Sequence, residues 1–152
     1  MSVAQTHRFP VAVRRHEHGS VRVRAPGKPE LRAAAPSELH GSHKGMWSPE
    51  ELLAASVASC FAVTLDAVAA EVHVPLHDVD IRTSTNVVRI DGRYSVKLID
   101  VTAIIETDPG QVERAREAAT RAERRCLIVS ALDCPVRIRV DAGMTARPTV
   151  RA

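Results

Sequence analysis

The stretch SPEELLAASVASCFAVTLDAVAAE, Ser48–Glu71, decides how the rest of the chain is arranged. Ser48 followed three residues later by Glu51 forms a capping-box pattern, and Pro49 occupies the first helical position, where its missing N–H costs no hydrogen bond. No Gly or further Pro interrupts the run, which predicts a helix of about 23 residues and about 34 Å. Apolar residues fall on every side of it, so we expect it to be a buried central helix.

Cys60 lies in the middle of this helix, and two glutamates lie at its start. Because successive residues are rotated by about 100° around the axis, Glu50 projects about 80° and Glu51 about 180° from Cys60. Glu51 is also the residue expected to close the capping box. Glu50 is therefore the better candidate for a polar group of a cysteine-based site.

The residues before the helix predict a small N-terminal sheet. Alternating valines and arginines in residues 8–25, broken by His18-Gly19-Ser20, indicate a hairpin, and Glu30–Ala34 forms a short third strand. The stretch Pro36–Trp47 is rich in Gly, Ser and His and predicts a loop that leads into the capping box.

The residues after the helix predict a second hairpin. Val79–Ile90 and Tyr94–Glu106 are joined by Asp91-Gly92, a strong turn signal. The apolar alternation of the second strand slips near Ile99-Asp100, which predicts a bulge there.

A second helix begins at Asp108-Pro109-Gly110, with Asp108 as its cap, and Pro135–Val140 alternates as a last strand. The helix carries an inward stripe that ends in a cysteine: Val112, Ala115, Ala119, Ala122 and Cys126. This order of elements predicts an α+β fold with both helices packed on an antiparallel sheet. We expect a single domain over residues 1–152, with loose termini at 1–7 and 145–152.

The composition restricts the class of protein. The chain has 152 residues, 45% hydrophobic and 26% charged, with a net charge of +3. Aromatic residues make up only 3%, which argues against a nucleic-acid binder that stacks bases. The N-terminus lacks a signal-peptide pattern, and Asp66 interrupts the apolar run Leu52–Ala70, so we expect a cytoplasmic protein and no membrane span.

Three cysteines without an export signal do not suggest a structural disulfide framework. Two buried helices with one inward cysteine each allow Cys60 and Cys126 to meet as a redox pair, although buried cysteines often only fill space. Cys134, between a helix end and Pro135, is expected to be structural. The histidines, His40 and His43 among them, lack ligand spacing with the cysteines, so we expect no metal and no bound cofactor.

The segments PEELLAASVASCF and RRCLIVSAL, taken together and in this order, resemble the OsmC/Ohr family of thiol-dependent peroxide reductases over residues 40–141. The resemblance implies an OsmC-like intertwined homodimer with two active sites made from residues of both subunits. It also implies that Cys60 attacks the peroxide, that Cys126 resolves the intermediate, and that Glu50 is a catalytic glutamate.

The family also supplies an arginine from a Gly-rich N-terminal hairpin, which favours the thiolate form of the attacking cysteine. The corresponding region here, RRHEHGSVRVR, lacks the Gly-Gly-Arg pattern. Arg15, Arg22 and Arg24 all remain candidates. The alternation sends Arg22 and Arg24 to the face opposite the valines, which favours Arg15.

These features predict a hydroperoxide reductase whose partners are a small-molecule hydroperoxide and a dithiol reductant. The apolar surroundings expected for Cys60 favour an organic peroxide over hydrogen peroxide. The alternative is a non-enzymatic OsmC-like dimer that binds an apolar small molecule or senses oxidants. The unusual N-terminal hairpin is the feature that favours this alternative.

Overall fold

The computed structural model describes residues 5–39, 41 and 43–143. The chain divides into two compact units, Met1–Leu52 and Leu53–Ala152. The expected loose C-terminus at 145–152 lies outside the described residues, as do residues 1–4; residues 5–7 adopt neither helix nor strand. The single domain over 1–152 stays a prediction.

The first unit contains a three-stranded antiparallel sheet in the order β1-β2-β3, which confirms the predicted hairpin and third strand. Its strands are β1 (Ala12–Arg15), β2 (Ser20–Arg24) and β3 (Leu31–Ala34). The turn between β1 and β2 passes through Gly19 at a φ of 77°, a left-handed conformation that glycine adopts without steric cost.

The long helix α1 runs from Pro49 to Glu71, as predicted. Its start is fixed by the reciprocal capping box. The Glu51 N–H donates to the Ser48 hydroxyl at 3.1 Å, and the Ser48 N–H donates to the Glu51 carboxylate at 2.7 Å. The Glu51 side chain is thus committed to the helix end, as expected.

The second unit contains a three-stranded sheet in the order β4-β5-β6. Strands β4 (Asp78–Ile90) and β5 (Arg93–Glu106) form the predicted hairpin, and both turn residues, Asp91 and Gly92, have positive φ. The register shifts between the pairs Asn86–Leu98 and Val87–Val96, which leaves Lys97 as the extra residue. The bulge is therefore present, but it lies before the predicted position. The alternating buried residues of β5 begin at Ile99 and do not include Leu98.

Strand β6 (Val136–Gly143) pairs in parallel with β5, so this sheet is mixed rather than purely antiparallel. Before it come α2 (Val112–Arg125) and the one-turn helix α3 (Leu127–Ser130). The segment Pro109–Gln111 forms a single 3₁₀ turn ahead of α2.

The predicted cap at Asp108 is wrong for α2, because the helix begins only after the 3₁₀ turn and the Asp108 side chain makes no capping bond. Its carboxylate instead lies 2.8 Å from Nε2 of His77. The α+β class is confirmed, with both helices contributing to one core against the second sheet.

The core of the second unit lies on one face of α1. Its largest members from α1 are Val57, Phe61, Leu65 and Val68, and α2 contributes only alanines: Ala115, Ala118, Ala119 and Ala122. Alanine side chains let α2 approach closely.

The expectation that α1 is buried on every side is wrong for the single chain, because Val63 is 66% exposed. By length and composition α1 could cross a membrane, as the core helices of many soluble proteins could. Here one face of α1 packs in the core of the second unit.

Candidate active site

The two candidate redox cysteines belong to the second unit. Cys60 lies midway along α1 and is half-buried, whereas Cys126 is completely buried. The periodicity predicted that Cys126 lies on α2, and this is wrong. It follows the last helical residue with an extended backbone (φ −67°, ψ 110°) and precedes α3. Its side chain still continues the inward stripe of α2.

The side chains of Cys60 and Cys126 are close enough for each thiol to shift the pKa of the other. The backbone N–H groups of Leu127 and Ile128, in the first turn of α3, also lower the pKa of the Cys60 thiol by hydrogen bonding. A fourth donor is the hydroxyl of Thr64, one turn further along α1. The Cys60 sulfur therefore lies among hydrogen-bond donors although its wider surroundings are apolar.

These donors control the acidity of Cys60. Burial alone would raise the pKa of its thiol, because a low dielectric disfavours the thiolate. The hydrogen bonds from the Ile128 N–H, the Cys126 thiol, the Thr64 hydroxyl and the Leu127 N–H outweigh burial, so the pKa of Cys60 lies below that of an ordinary cysteine. Cys60 is thus the thiol that ionises more readily.

Cys126 is shifted in the opposite direction. Burial is the main cause that raises its pKa, and the hydrogen bond and negative charge of Cys60 raise it further, against the lowering effect of the Val129 and Ile128 N–H groups. Of the two neighbouring thiols, Cys60 therefore ionises at the lower pH and Cys126 at the higher pH.

The surroundings of the pair are hydrocarbon. Cys60 and Cys126 both pack against the core cluster that includes Phe61, Ala122 and Val129. The two thiols are therefore surrounded by apolar side chains.

Glu50 lies in the first turn of α1, where its side chain is half-buried. It belongs to the first unit, as does Arg15, the last residue of β1, whose side chain is exposed. The structure thus brings together Cys60 and Cys126, whereas Glu50 and Arg15 are positioned by the other unit.

The three candidate arginines differ in their environment. Arg15 pairs with Val21 across the sheet and therefore shares the valine face, because directly opposed residues point to the same side. Arg22 and Arg24 lie on the other face and both contact Glu30, at 3.6 Å and 2.6 Å. The hydrogen bond from Arg24 is the main cause that holds the pKa of Glu30 below its usual range.

The remaining candidates that the structure describes form no second site. Cys134 packs half-buried against the cluster of Val57, Ile99 and Val101. His43 contacts the backbone oxygen of His18 at 2.6 Å, and His40 lies outside the described residues. Within the described ranges, no three His, Cys, Asp or Glu residues are grouped so as to hold a metal ion.

A family model for OsmC-like proteins matches residues 41–141, more than half of the chain. The chain belongs to the OsmC/Ohr family. This confirms the resemblance inferred from the two cysteine segments. No curated protein matches the chain.

Solved structures share the fold of this OsmC/Ohr chain. An OsmC-like protein of unknown function from Vibrio cholerae has a TM-score of 0.77 at 13% identity, covering 90% of this chain and 100% of that one. An organic hydroperoxide resistance protein from Elizabethkingia anophelis has a TM-score of 0.76 at 16% identity, covering 94% and 100%. Another, from Legionella pneumophila, has a TM-score of 0.71 at 21% identity, covering 93% and 100%. At these identities the likeness shows the fold alone.

Sequence reasoning missed three of the groups that contact Cys60 in this OsmC/Ohr chain. Leu127 and Ile128 act through backbone N–H groups, which no side-chain pattern reveals, and a one-turn helix is too short to show periodicity. Thr64 had a detectable signal, since a residue four positions after Cys60 on a helix lies on the same face.

The opposite pKa shifts predict a pH window in which only one thiol is reactive. Because the thiolate is the nucleophile, alkylation of Cys60 by iodoacetamide should reach half its plateau rate at a lower pH than in denaturant, and alkylation of Cys126 at a higher pH. Peptide mapping by mass spectrometry over a pH series measures both midpoints in the reduced protein. In denaturant the two midpoints should coincide. A Cys126 midpoint at or below that of Cys60 would contradict the assignment.

Proposed function

We propose that this protein is a thiol-dependent peroxide reductase that reduces organic hydroperoxides. The observation that carries the proposal is the contact between Cys60 and Cys126, in which the more exposed thiol has the lowered pKa and the buried thiol the raised one. Membership of the OsmC/Ohr family supports it, as do structural neighbours named organic hydroperoxide resistance proteins.

In the first step the Cys60 thiolate attacks the distal oxygen of the hydroperoxide, ROOH. The O–O bond breaks, Cys60 becomes a sulfenic acid, and the leaving alkoxide is protonated to the alcohol, ROH. The N–H groups of Leu127 and Ile128 supply fixed dipoles beside the sulfur. The apolar walls favour an organic peroxide, with hydrogen peroxide as the poorer substrate.

In the second step Cys126 attacks the sulfenic acid, which forms the Cys60–Cys126 disulfide and releases water. The Cys60 thiolate no longer exists at this stage, so its contribution to the raised pKa of Cys126 is removed. A dithiol reductant then restores both thiols by exchange and becomes a disulfide itself. The reaction needs no bound cofactor, and the reductant fits a reducing cytoplasm.

The enzyme proposal predicts distinct outcomes for the three cysteines. Wild-type protein with dithiothreitol or dihydrolipoamide should turn over cumene hydroperoxide faster than hydrogen peroxide. Cys60→Ser should abolish consumption. Without added dithiol, Cys126→Ser should consume one equivalent of peroxide and stop at the Cys60 sulfenic acid, whereas wild-type protein should stop at the Cys60–Cys126 disulfide. Cys134→Ala, the matched control for loss of a thiol, should retain turnover. Wild-type protein no faster than Cys60→Ser with either peroxide would overturn the proposal.

Glu50 and Arg15 enter the proposal through the family resemblance. Arg15 would supply the cation for the thiolate and the departing alkoxide, and Glu50 the catalytic carboxylate. The contact of Arg22 and Arg24 with Glu30 is the observation that favours Arg15 among the three arginines.

Arg15→Met and Glu50→Gln should each lower kcat/KM for cumene hydroperoxide by about tenfold or more, which corresponds to about 1.4 kcal/mol of transition-state stabilisation. Arg24→Met is the matched control for charge. Glu51→Gln is the control for the helix start, because glutamine can still accept the Ser48 bond. Both controls should stay within about twofold. A tenfold loss in Arg24→Met with none in Arg15→Met would reassign the cation.

We propose that the working form is a homodimer, as the family resemblance implies. Val63 on α1 and Phe9 near β1 are large apolar side chains that are 66% and 88% exposed in the single chain. Burial of these side chains against a second copy would remove apolar surface from water, which favours association.

Sedimentation equilibrium should therefore give twice the chain mass of 16.5 kDa. Val63→Glu should shift the equilibrium towards monomer, because it places a charge on the apolar surface. Thr120→Glu, on the exposed side of α2, is the matched control and should remain dimeric. A wild-type protein that sediments as a monomer at micromolar concentration would contradict the dimer.

A non-enzymatic role is the second candidate, and the contact between the two thiols is compatible with it. A protein that forms the Cys60–Cys126 disulfide once can report oxidant without catalysing its removal. Stoichiometric oxidation without turnover in the presence of reductant would favour this oxidant-sensing role.

A further inference from the structure

Thr64 lies one helical turn after Cys60 on α1 and is half-buried. Its Oγ1 donates a hydrogen bond to the backbone carbonyl oxygen of Cys60 at 2.7 Å, which places the hydroxyl beside Cys60, and the same hydroxyl lowers the pKa of the Cys60 thiol. This geometry follows from the helix itself. Side chains lean towards the helix N-terminus, so the residue at position i+4 covers the residue at position i.

The Thr64 hydroxyl carries one hydrogen and has two acceptors within reach. The carbonyl oxygen of Cys60 does not need this hydrogen bond, because it already accepts the helical hydrogen bond from the backbone N–H of Thr64. A neutral thiol is a weak acceptor, so in that state the carbonyl is the better partner. A thiolate accepts a charge-assisted bond, which is roughly twice as strong as a neutral one.

We propose that the Thr64 hydroxyl moves its hydrogen bond from the Cys60 carbonyl oxygen to the Cys60 sulfur when that thiol loses its proton, and so holds the thiolate. The exchange needs only rotation about the Cβ–Oγ1 bond, with no movement of heavy atoms. The inference rests on the proposed function in one respect, that Cys60 is the reacting thiol.

The position also distinguishes Thr64 from the other donors. Leu127 and Ile128 belong to α3 and are held next to Cys60 by the packing of the fold, whereas Thr64 belongs to the same helix as Cys60. Its placement beside Cys60 therefore depends on α1 and on the rotamers of the two side chains, not on the packing of α3. Thr64 is a donor that stays beside Cys60 whenever α1 is formed.

Substitution of Thr64 tests the proposal in the full-length reduced protein. Thr64→Val keeps the shape of the side chain and removes the hydroxyl, and Thr64→Ser keeps the hydroxyl. The readout is the pH midpoint of iodoacetamide alkylation at Cys60, followed by peptide mapping. Thr64→Val should raise this midpoint by about one pH unit, which lowers the thiolate fraction at neutral pH by up to about tenfold. Thr64→Ser should keep the wild-type midpoint.

Thr120→Val is the matched control. The Thr120 hydroxyl makes the same type of bond on α2, to the carbonyl oxygen of Arg116 at 3.1 Å. Its loss should leave the Cys60 midpoint unchanged. Should Thr64→Val not fold, as judged by circular dichroism, Thr64→Ala replaces it, since alanine is the best helix former.

A folded Thr64→Val or Thr64→Ala protein with the wild-type midpoint would overturn the inference. So would a Thr64→Ser midpoint as high as that of Thr64→Val, because the hydroxyl would then not be the cause. Alkylation uses no peroxide and no reductant. A protein without peroxidase activity would therefore still give a decisive result for Thr64.

Discussion

The contact between the Cys60 and Cys126 thiols is the constraint on which the site depends. One thiol comes from the middle of α1 and the other from the residue after α2, so the contact exists only if the two helices approach closely at that point. The core face of α2 allows this because its buried residues are alanines. Arg125, immediately before Cys126, adds two hydrogen bonds to Glu71 at 2.6 and 3.0 Å, which tie the end of α2 to the end of α1. That ion pair is exposed and therefore contributes little to stability.

Contact between two like groups also means that the two thiols ionise one after the other. Two thiolates side by side would repel each other, so ionisation of one suppresses ionisation of the other. The local donors decide which thiol ionises first. Cys60 has four, and they outweigh its burial, whereas burial dominates at Cys126. The more acidic thiol is also the half-buried one, which is the thiol that a reaction partner from solvent would meet first.

Much of the fold could be predicted because its signals are local. The capping box, the Asp91-Gly92 turn and the alternating strands each depend on a few neighbouring residues. The parallel pairing of β6 with β5 could not be predicted in this way, because the direction of a strand depends on how the chain returns after α2 and α3. The exposure of Val63 was missed for a related reason. The composition of α1 shows that it is apolar, but not how many of its faces the same chain covers.

The site was only partly predictable, and the missing part is backbone chemistry. From the sequence alone, a buried thiol is expected to need a nearby cation such as an arginine in order to be reactive. Near Cys60 the same electrostatic task is shared by neutral donors, the N–H groups of Leu127 and Ile128 and the hydroxyl of Thr64. Such dipoles are fixed by the fold and stay close to the sulfur, so in an apolar site they are effective without a net charge. An arginine is therefore not needed to make Cys60 the more acidic thiol of the pair. In the proposed reaction, the charge that moves onto the departing oxygen is the charge that these neutral donors do not contact, and it is there that a cation such as Arg15 would act.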